Sequence, residues 1–264
     1  MEALRDGELD FVAGSAHATL QAFTDWKGAK LIAALAQRTY WLLILRADLG
    51  VARGDVQALK GLRIGAAPGP DATFRRLLVE AGLDPERDQI EVGLVPGAAA
   101  PGVSFGVHAA KALEEGVIDG FWANAMASEV AVRSGVGMVV LDVRRGDGPP
   151  ASHYYTFPAL VTKDSTIAQE PEMVAAAVRA IVKVQKELQA NPERATEVGQ
   201  RLFPAAEAEL IAELVRRDLP YYDPVISEDV VASMNRFARD IGLLSADVAY
   251  EQVVATQFRG LWTE

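Results

Sequence analysis

The chain has no cysteine. That excludes disulfides, a thiolate nucleophile and any Cys-ligated metal, and it leaves the redox compartment open. Histidine is nearly as scarce: His17, His108 and His153 are the only three. They lie far apart, with no H-x-x-x-H spacing or carboxylate cluster beside them, so no metal or other cofactor is expected. A lone histidine is usually structural or solvated, which is the reading adopted for His17 and His108. No uninterrupted apolar run approaches the ~18 residues of a membrane span. The opening Met1-Glu2-Ala3-Leu4-Arg5 lacks the apolar segment of a signal peptide. Basic residues are the minority, 26 Lys and Arg against 36 Asp and Glu, for a net charge of -10. That balance argues against nucleic acid or an anionic membrane surface as partner. It does not oppose a small anionic ligand, because a local site can run against the global charge. G-x-S-x-G, P-loop and G-x-G-x-x-G signatures are all missing, and paired carboxylates such as Glu114-Glu115 sit on an exposed helix end. No catalytic residue is expected.

Against these absences stands a large apolar content. Of 264 residues, 50% are hydrophobic, enough to build one large or two small cores. One stretch also occurs twice. Residues 3–19 read ALRDGELDFVAGSAHAT and residues 112–128 read ALEEGVIDGFWANAMAS. Leu4, Gly7 and Asp10 in the first match Leu113, Gly116 and Asp119 in the second. Each copy predicts a helix end, a Gly stop and a short buried strand. Each strand then runs into small and polar residues, Gly14-Ser15-Ala16 or Asn124-Ala125-Met126. Two like α/β units predict two lobes. Ligands of open α/β sheets bind beyond the carboxyl ends of the strands, which makes these two exits the first binding candidates.

Between the copies the pattern alternates. Strands are predicted at 30–35, 40–45, 63–66, 89–95 and 138–143. Asp55 caps a short turn closed by Gly61. Pro68 to Thr73 breaks the chain and opens a helix to about Ala81. Pro96 to Gly106 is a long Gly/Ala/Pro loop, followed by a helix over 107–115. His153 to Thr162 reads as a further strand. From Pro171 the chain is helical: 171–191 with an apolar stripe of Val174, Ala177, Val178, Ile181, Val182 and Leu188, then 192–202, 205–214, 227–241 capped by Ser227, and 250–258. The fold class is therefore α/β, with mostly parallel sheets flanked by helices and a helical C-terminal tail.

In order and spacing, ALRDGELDFV, YWLLILRADLGV, ALKGLRIGAAPGPDATFRRLLVEAGLDP, ALEEGVIDGFWAN, FPALVTKDS and the tail EPEMVAAAVRAIVKVQKELQANPERATEV with YEQVVATQFRGLW resemble the NMT1/THI5-like and SsuA-like substrate-binding proteins of ABC transporters. The resemblance spans essentially the whole chain. It implies a two-lobed type II periplasmic binding-protein fold, with lobe 1 at 1–45 and 158–264 and lobe 2 at 46–157. It implies a ligand bound between the lobes with hinge closure, permease and ATPase subunits as partners, and contact with the membrane only through the permease. The departure is at the front, where such proteins carry a strand–helix–strand before the helix ending at Leu4. An upstream segment with a signal is therefore expected, giving a periplasmic or lipid-anchored protein; a chain complete as written would be cytoplasmic. Two other readings share the fold. One is a cytoplasmic ligand sensor, and the other is an enzyme acting on a small aromatic acid or pyrimidine. The pyrimidine synthases of this fold use a Cys-rich motif that is missing here.

The site residues follow from the two exits and the crossover strands. Gly69, Asp71, Ala72 and Thr73 form a helix start, with Asp71 or Thr73 as cap and free N–H groups offered to a carboxylate, sulfonate or phosphate. Ser15 and Ala16 follow the lobe 1 strand. Trp122 and Asn124 follow the lobe 2 strand, Trp122 reading first as core. Thr39 and Tyr40 open the first crossover strand, where alternation should send Tyr40 and Trp41 to opposite faces. His153 and Tyr154 precede the return strand. Arg38 and Arg46 lie near the crossover strand but at no candidate position, so no guanidinium clamp is expected. The expected ligand is a small organic anion, a sulfonate or carboxylate, or else a planar pyrimidine.

Overall fold

The computed structural model describes residues 1–98, 105–203 and 205–264. The predicted loop at 96–106 lies largely outside them. In chain order the strands are β1 (Phe11–Ser15), β2 (Ala29–Ala34), β3 (Trp41–Arg46), β4 (Arg63–Ala66), β5 (Glu91–Gly93), β6 (Gly120–Asn124), β7 (Gly137–Asp142) and β8 (Pro158–Lys163). The helices are α1 (Glu2–Arg5), α2 (Thr19–Ala22), α3 (Pro70–Glu80), α4 (Phe105–Glu114), α5 (Ala125–Arg133), α6 (Asp164–Gln169), α7 (Pro171–Ala190), α8 (Glu193–Leu202), α9 (Ala205–Asp218), α10 (Glu228–Asp240) and α11 (Tyr250–Val253).

The chain divides into unit 1, Met1–Arg38 with Tyr154–Glu264, and unit 2, Thr39–His153. The expected boundaries at 45/46 and 157/158 shift to 38/39 and 153/154. The reason is pairing: β3 bonds on both edges to strands of unit 2, so the whole crossover strand belongs there.

Unit 1 holds a three-stranded sheet in the order β1-β8-β2. Both outer strands run antiparallel to β8, which corrects the expectation of a mostly parallel sheet. β1 and β2 run in the same direction but do not touch, because β8 fills the space between them. Helix α7 lays Val174, Val178 and Val182 onto this sheet, and all three are buried. Its Gln185 amide donates to the carbonyls of Ala34 and Leu35 at 3.0 Å each, closing the end of β2. At the far end of the sequence, Trp262 Nε1 donates to Ile32 O at 2.9 Å. The predicted helix 250–258 ends at Val253, and the chain resumes as a 3-10 stretch over Thr256–Thr263. In between, Ala255 N leaves the helix to bond Leu31 O on β2. The predicted strand from His153 begins only at Pro158, since Pro150–Tyr154 is a 3-10 turn held by Ser152 on Pro149 O.

Unit 2 holds a five-stranded mixed sheet in the order β5-β4-β6-β3-β7. β5, β4 and β6 are parallel, while β3 is antiparallel to both β6 and β7. β3 is buried from Trp41 to Leu45, the continuous apolar run expected of a strand covered on both faces. Packing is close enough to dictate glycine on β6: a Cβ at Gly120 would meet Ile44 O at 2.6 Å.

The repeated sequence is repeated structure. Leu4 and Leu113 are buried. Gly7 and Gly116 take left-handed φ values of 82° and 68°, and each donates its N–H back to the leucine carbonyl. The strands that follow are β1 and β6.

Candidate functional site

Register determines what gathers at each sheet end. In unit 2, Ala66 pairs with Trp122, Trp41 with Asn124, and Leu42 with Asp142. The exits of β4, β6 and β7 and the entry of β3 therefore share one end of the sheet. In unit 1, Ser15 pairs with Pro158 and Ala34 with Ala159, so the exits of β1 and β2 meet the entry of β8.

Unit 2 collects most of the candidates. Asn124 ends β6 and caps α5: its Oδ1 accepts from Ala127 N at 3.0 Å. The side chain is exposed, and its amide NH2 has no protein partner among the described residues. Trp122 is 1% exposed and packs on Phe74, ring centroids 5.2 Å apart. Its Nε1 donates to Thr73 Oγ1 at 3.0 Å, and Thr73 in turn donates to Pro70 O at 2.6 Å. Trp122 and fully buried Thr73 thus fasten the start of α3 to β6.

That helix start differs from expectation. Gly69 occupies the cap position at φ 92° without a side-chain cap. Neither Asp71 nor Thr73 caps the helix. Asp71 Oδ1 accepts from Gly69 N at 3.0 Å, Asp71 N donates to Ala67 O, and Ala72 N donates to Gly69 O. Pro70 has no N–H to give. The expected row of free donors is largely spent, and the helix dipole already faces an anion, the Asp71 carboxylate. Arg75 lies 3.7 Å from that carboxylate.

Thr39 is fully buried and donates its N–H to His153 O at 2.9 Å. Tyr40 precedes β3 rather than lying in it. Alternation therefore does not apply, and its ring rests on Trp41 with centroids 4.3 Å apart. The guanidinium of Arg144 stands 5.6 Å from the Tyr40 centroid. Arg144 is 6% exposed and lies two residues beyond the end of β7. The sequence reading did not single it out.

In unit 1, Ala16 is buried and its N–H donates to Phe157 O at 2.9 Å, while Ser15 is half-buried at the end of β1. His17 is buried with its ring edge-on to Phe237, whose face also stacks on Tyr155 at 4.6 Å. Tyr154 is 37% exposed. The guanidinium of Arg38 lies 5.7 Å from the Tyr154 centroid and 5.5 Å from that of Tyr221. Two arginines thus sit at strand-entry and strand-exit ends where none was expected. Arg46 does not join them. It lies at the opposite end of β3 and pairs with Asp48 at 3.0 Å and Asp119 at 3.8 Å.

Among the described residues no group of three His, Asp or Glu side chains is placed to hold a metal ion, and no helix is long and apolar enough to cross a membrane.

The fold is matched outside this chain. No curated protein sequence matches it, but solved structures do. The periplasmic aliphatic sulphonate binding protein SsuA from Escherichia coli aligns with 96% of this chain and 77% of its own, at 14% identity and a TM-score of 0.70. The alkanesulfonate-binding SsuA from Xanthomonas axonopodis pv. citri, bound to MOPS, covers 96% and 82% at 15% identity and 0.68. DszB, as a Cys-to-Ser mutant in complex with biphenyl-2-sulfinic acid, covers 98% and 87% at 16% identity and 0.67. At these identities the likeness establishes the fold: α/β, with mixed sheets flanked by helices in two units. The sequence itself matches the family described as NMT1/THI5 like over residues 2–195, so the chain belongs to the NMT1/THI5-like family.

Proposed function

We propose that the chain is the solute-binding component of an ABC importer for a small organic anion, a sulfonate or carboxylate. On this reading the importer's permease and ATPase are its partners. The observation that carries the proposal is the polar, aromatic and cationic side chains at the strand-exit end of each unit's sheet, in a chain of this family. The amide NH2 of Asn124 offers donors, Tyr40 and Tyr154 offer ring surface, and the arginines offer charge. The sulfonate-binding proteins of the same fold agree with it.

The DszB likeness keeps an enzymatic reading as the rival. It requires a nucleophile or general base at the strand ends. Cysteine does not occur, and His17 is packed against Phe237 rather than presented.

A thermal-shift screen of alkanesulfonates, carboxylates, nitrate and pyrimidines tests the proposal, because a ligand that binds only the folded state raises the melting point. The expected result is a rise with at least one organic anion, unaccompanied by turnover of that compound. In Asn124→Ala the rise should shrink. The unliganded stability should fall by no more than the loss of a cap implies, about 1 kcal/mol. A shift confined to pyrimidines, or consumption of the anion, would overturn the assignment.

A further inference from the structure

We propose that a cleft of unit 1, floored by Gln185 and rimmed by Asp223, is a second ligand site, and that it takes a small primary alkylammonium ion. None of the strand-end candidates lines this cleft. Three observations converge on it.

The first is the cleft itself. Its volume is about 390 Å³, within the range of small-molecule sites. Val182, Gln185 and Trp262, all buried, make its floor, and exposed Gln189, Pro220 and Asp223 stand on its rim. The segment that walls it is tied down on both sides. The Gln189 amide of α7 donates to Tyr222 O at 3.1 Å, and the Gln37 amide donates to Asp223 O at 2.9 Å. The walls are therefore set before a ligand arrives, which lowers the entropy cost of binding.

The second is a buried acceptor. Gln185 is 5% exposed. Its orientation is imposed, because its NH2 donates to two carbonyls, Ala34 O and Leu35 O. A flipped amide would set oxygen against oxygen. Both N–H bonds are thereby used, while Oε1 is buried and receives no hydrogen bond. A buried acceptor without a donor is costly. Its complement is a donor brought from outside the chain.

The third is charge. Asp223 Oδ1 accepts from Val225 N at 2.9 Å, and among the described residues the carboxylate has no cationic partner. Gln189, with its NH2 on Tyr222 O, has a carbonyl oxygen to spare. Lys186, also on the rim, is turned to Glu264 O. Acceptors thus prevail, one of them anionic, in a chain of net charge -10. That set fits a primary ammonium, which carries three N–H donors on a compact positive charge. Its alkyl stem meets Val182, Leu219 and Pro224, as the stem of a lysine lies along apolar surface. A quaternary ammonium has the charge without the donors, and an alcohol has a donor without the charge.

The test is an NMR titration of the full chain with butylammonium, butyltrimethylammonium and butanol. Butylammonium is expected to bind, and each of the others at least about tenfold more weakly, as loss of a charge-assisted hydrogen bond implies. Asp223→Asn keeps the acceptor for Val225 N and should keep its melting point, while binding butylammonium about fivefold more weakly, the scale of an exposed ion pair. Gln185→Leu should weaken it roughly tenfold or more. That change also strips the β2 carbonyls of their donor, so Asp223→Asn decides the matter if Gln185→Leu fails to fold. Lys186→Gln, which removes the opposing cation, should bind more tightly. Asn124→Ala should change nothing, which separates this cleft from the strand ends. Equal binding of butyltrimethylammonium and butylammonium would overturn the assignment, and so would equal binding of butylammonium by the wild type and Asp223→Asn. Binding of none of the three would overturn it too, leaving Gln185 Oε1 to water.

Discussion

Asp119 shows how much a single position of the repeated sequence carries. Its counterpart Asp10 is exposed, but Asp119 is mostly buried and accepts three hydrogen bonds from Arg63, from the backbone N–H, Nε and Nη2, at 2.9 Å each. The Arg63 side-chain hydrogen bonds, opposed by partial burial and reinforced by its N–H and the charges of Arg63 and Arg46, hold the carboxyl below its ordinary range. A carboxylate with a lowered folded-state pKa stabilises the fold fully above the unfolded value of about 4. It gives that stability up as the pH falls through the folded value. Asp119→Asn should therefore lower the urea-unfolding free energy at pH 7 by about 1–3 kcal/mol. The gap to the wild type should close between about pH 4 and more acidic solution. A constant gap across that range would show that the carboxylate charge is not what Arg63 reads.

At the scale of elements, the joint between α3 and β6 is a chain of two hydrogen bonds, Trp122 to Thr73 and Thr73 to Pro70. Thr73→Val keeps the shape but leaves the buried indole N–H without an acceptor. It should cost about 1–3 kcal/mol in a urea titration followed by Trp fluorescence. Elements of this kind were legible in the sequence because they are written locally. Pro70 and Gly82 bracket α3, Ser227 accepts from Val230 N as the cap of α10, and apolar runs mark β2 and β3. Strand direction was not legible. Whether β8 lies between β1 and β2 depends on partners over a hundred residues away, and no local pattern carries that. Of the candidate site, only the strand ends were legible. The strand exits were found, and with them Asn124. The arginines were missed, because what makes Arg38 and Arg144 notable is the ring each one faces, and those rings come from Tyr221 and Tyr154 in one case and Tyr40 in the other.

For the whole molecule, the order in which the chain is made has consequences for how it folds. Unit 2 is continuous, and its two ends, Thr39 and His153, are joined by a hydrogen bond. It has its own core and five-stranded sheet, so it meets the conditions for folding alone. Unit 1 does not. Its central strand is its last, and contacts such as Thr162 Oγ1 to Asp10 O span 152 residues. While β8 is absent, β1 and β2 have no common neighbour and present unpaired edges. Non-local pairing of this kind is slow, because chain entropy is lost before contacts are gained. Each unit carries two of the four tryptophans, Trp26 and Trp262 in one, Trp41 and Trp122 in the other. Stopped-flow refolding of variants that keep one pair each should show the Trp41/Trp122 signal recovering first and the Trp26/Trp262 signal lagging. Equal rates would mean that the two units close together. On the ribosome the same asymmetry leaves β1 and β2 without the strand they share until β8 emerges, and during that interval their unpaired edges are open to aggregation and to a chaperone.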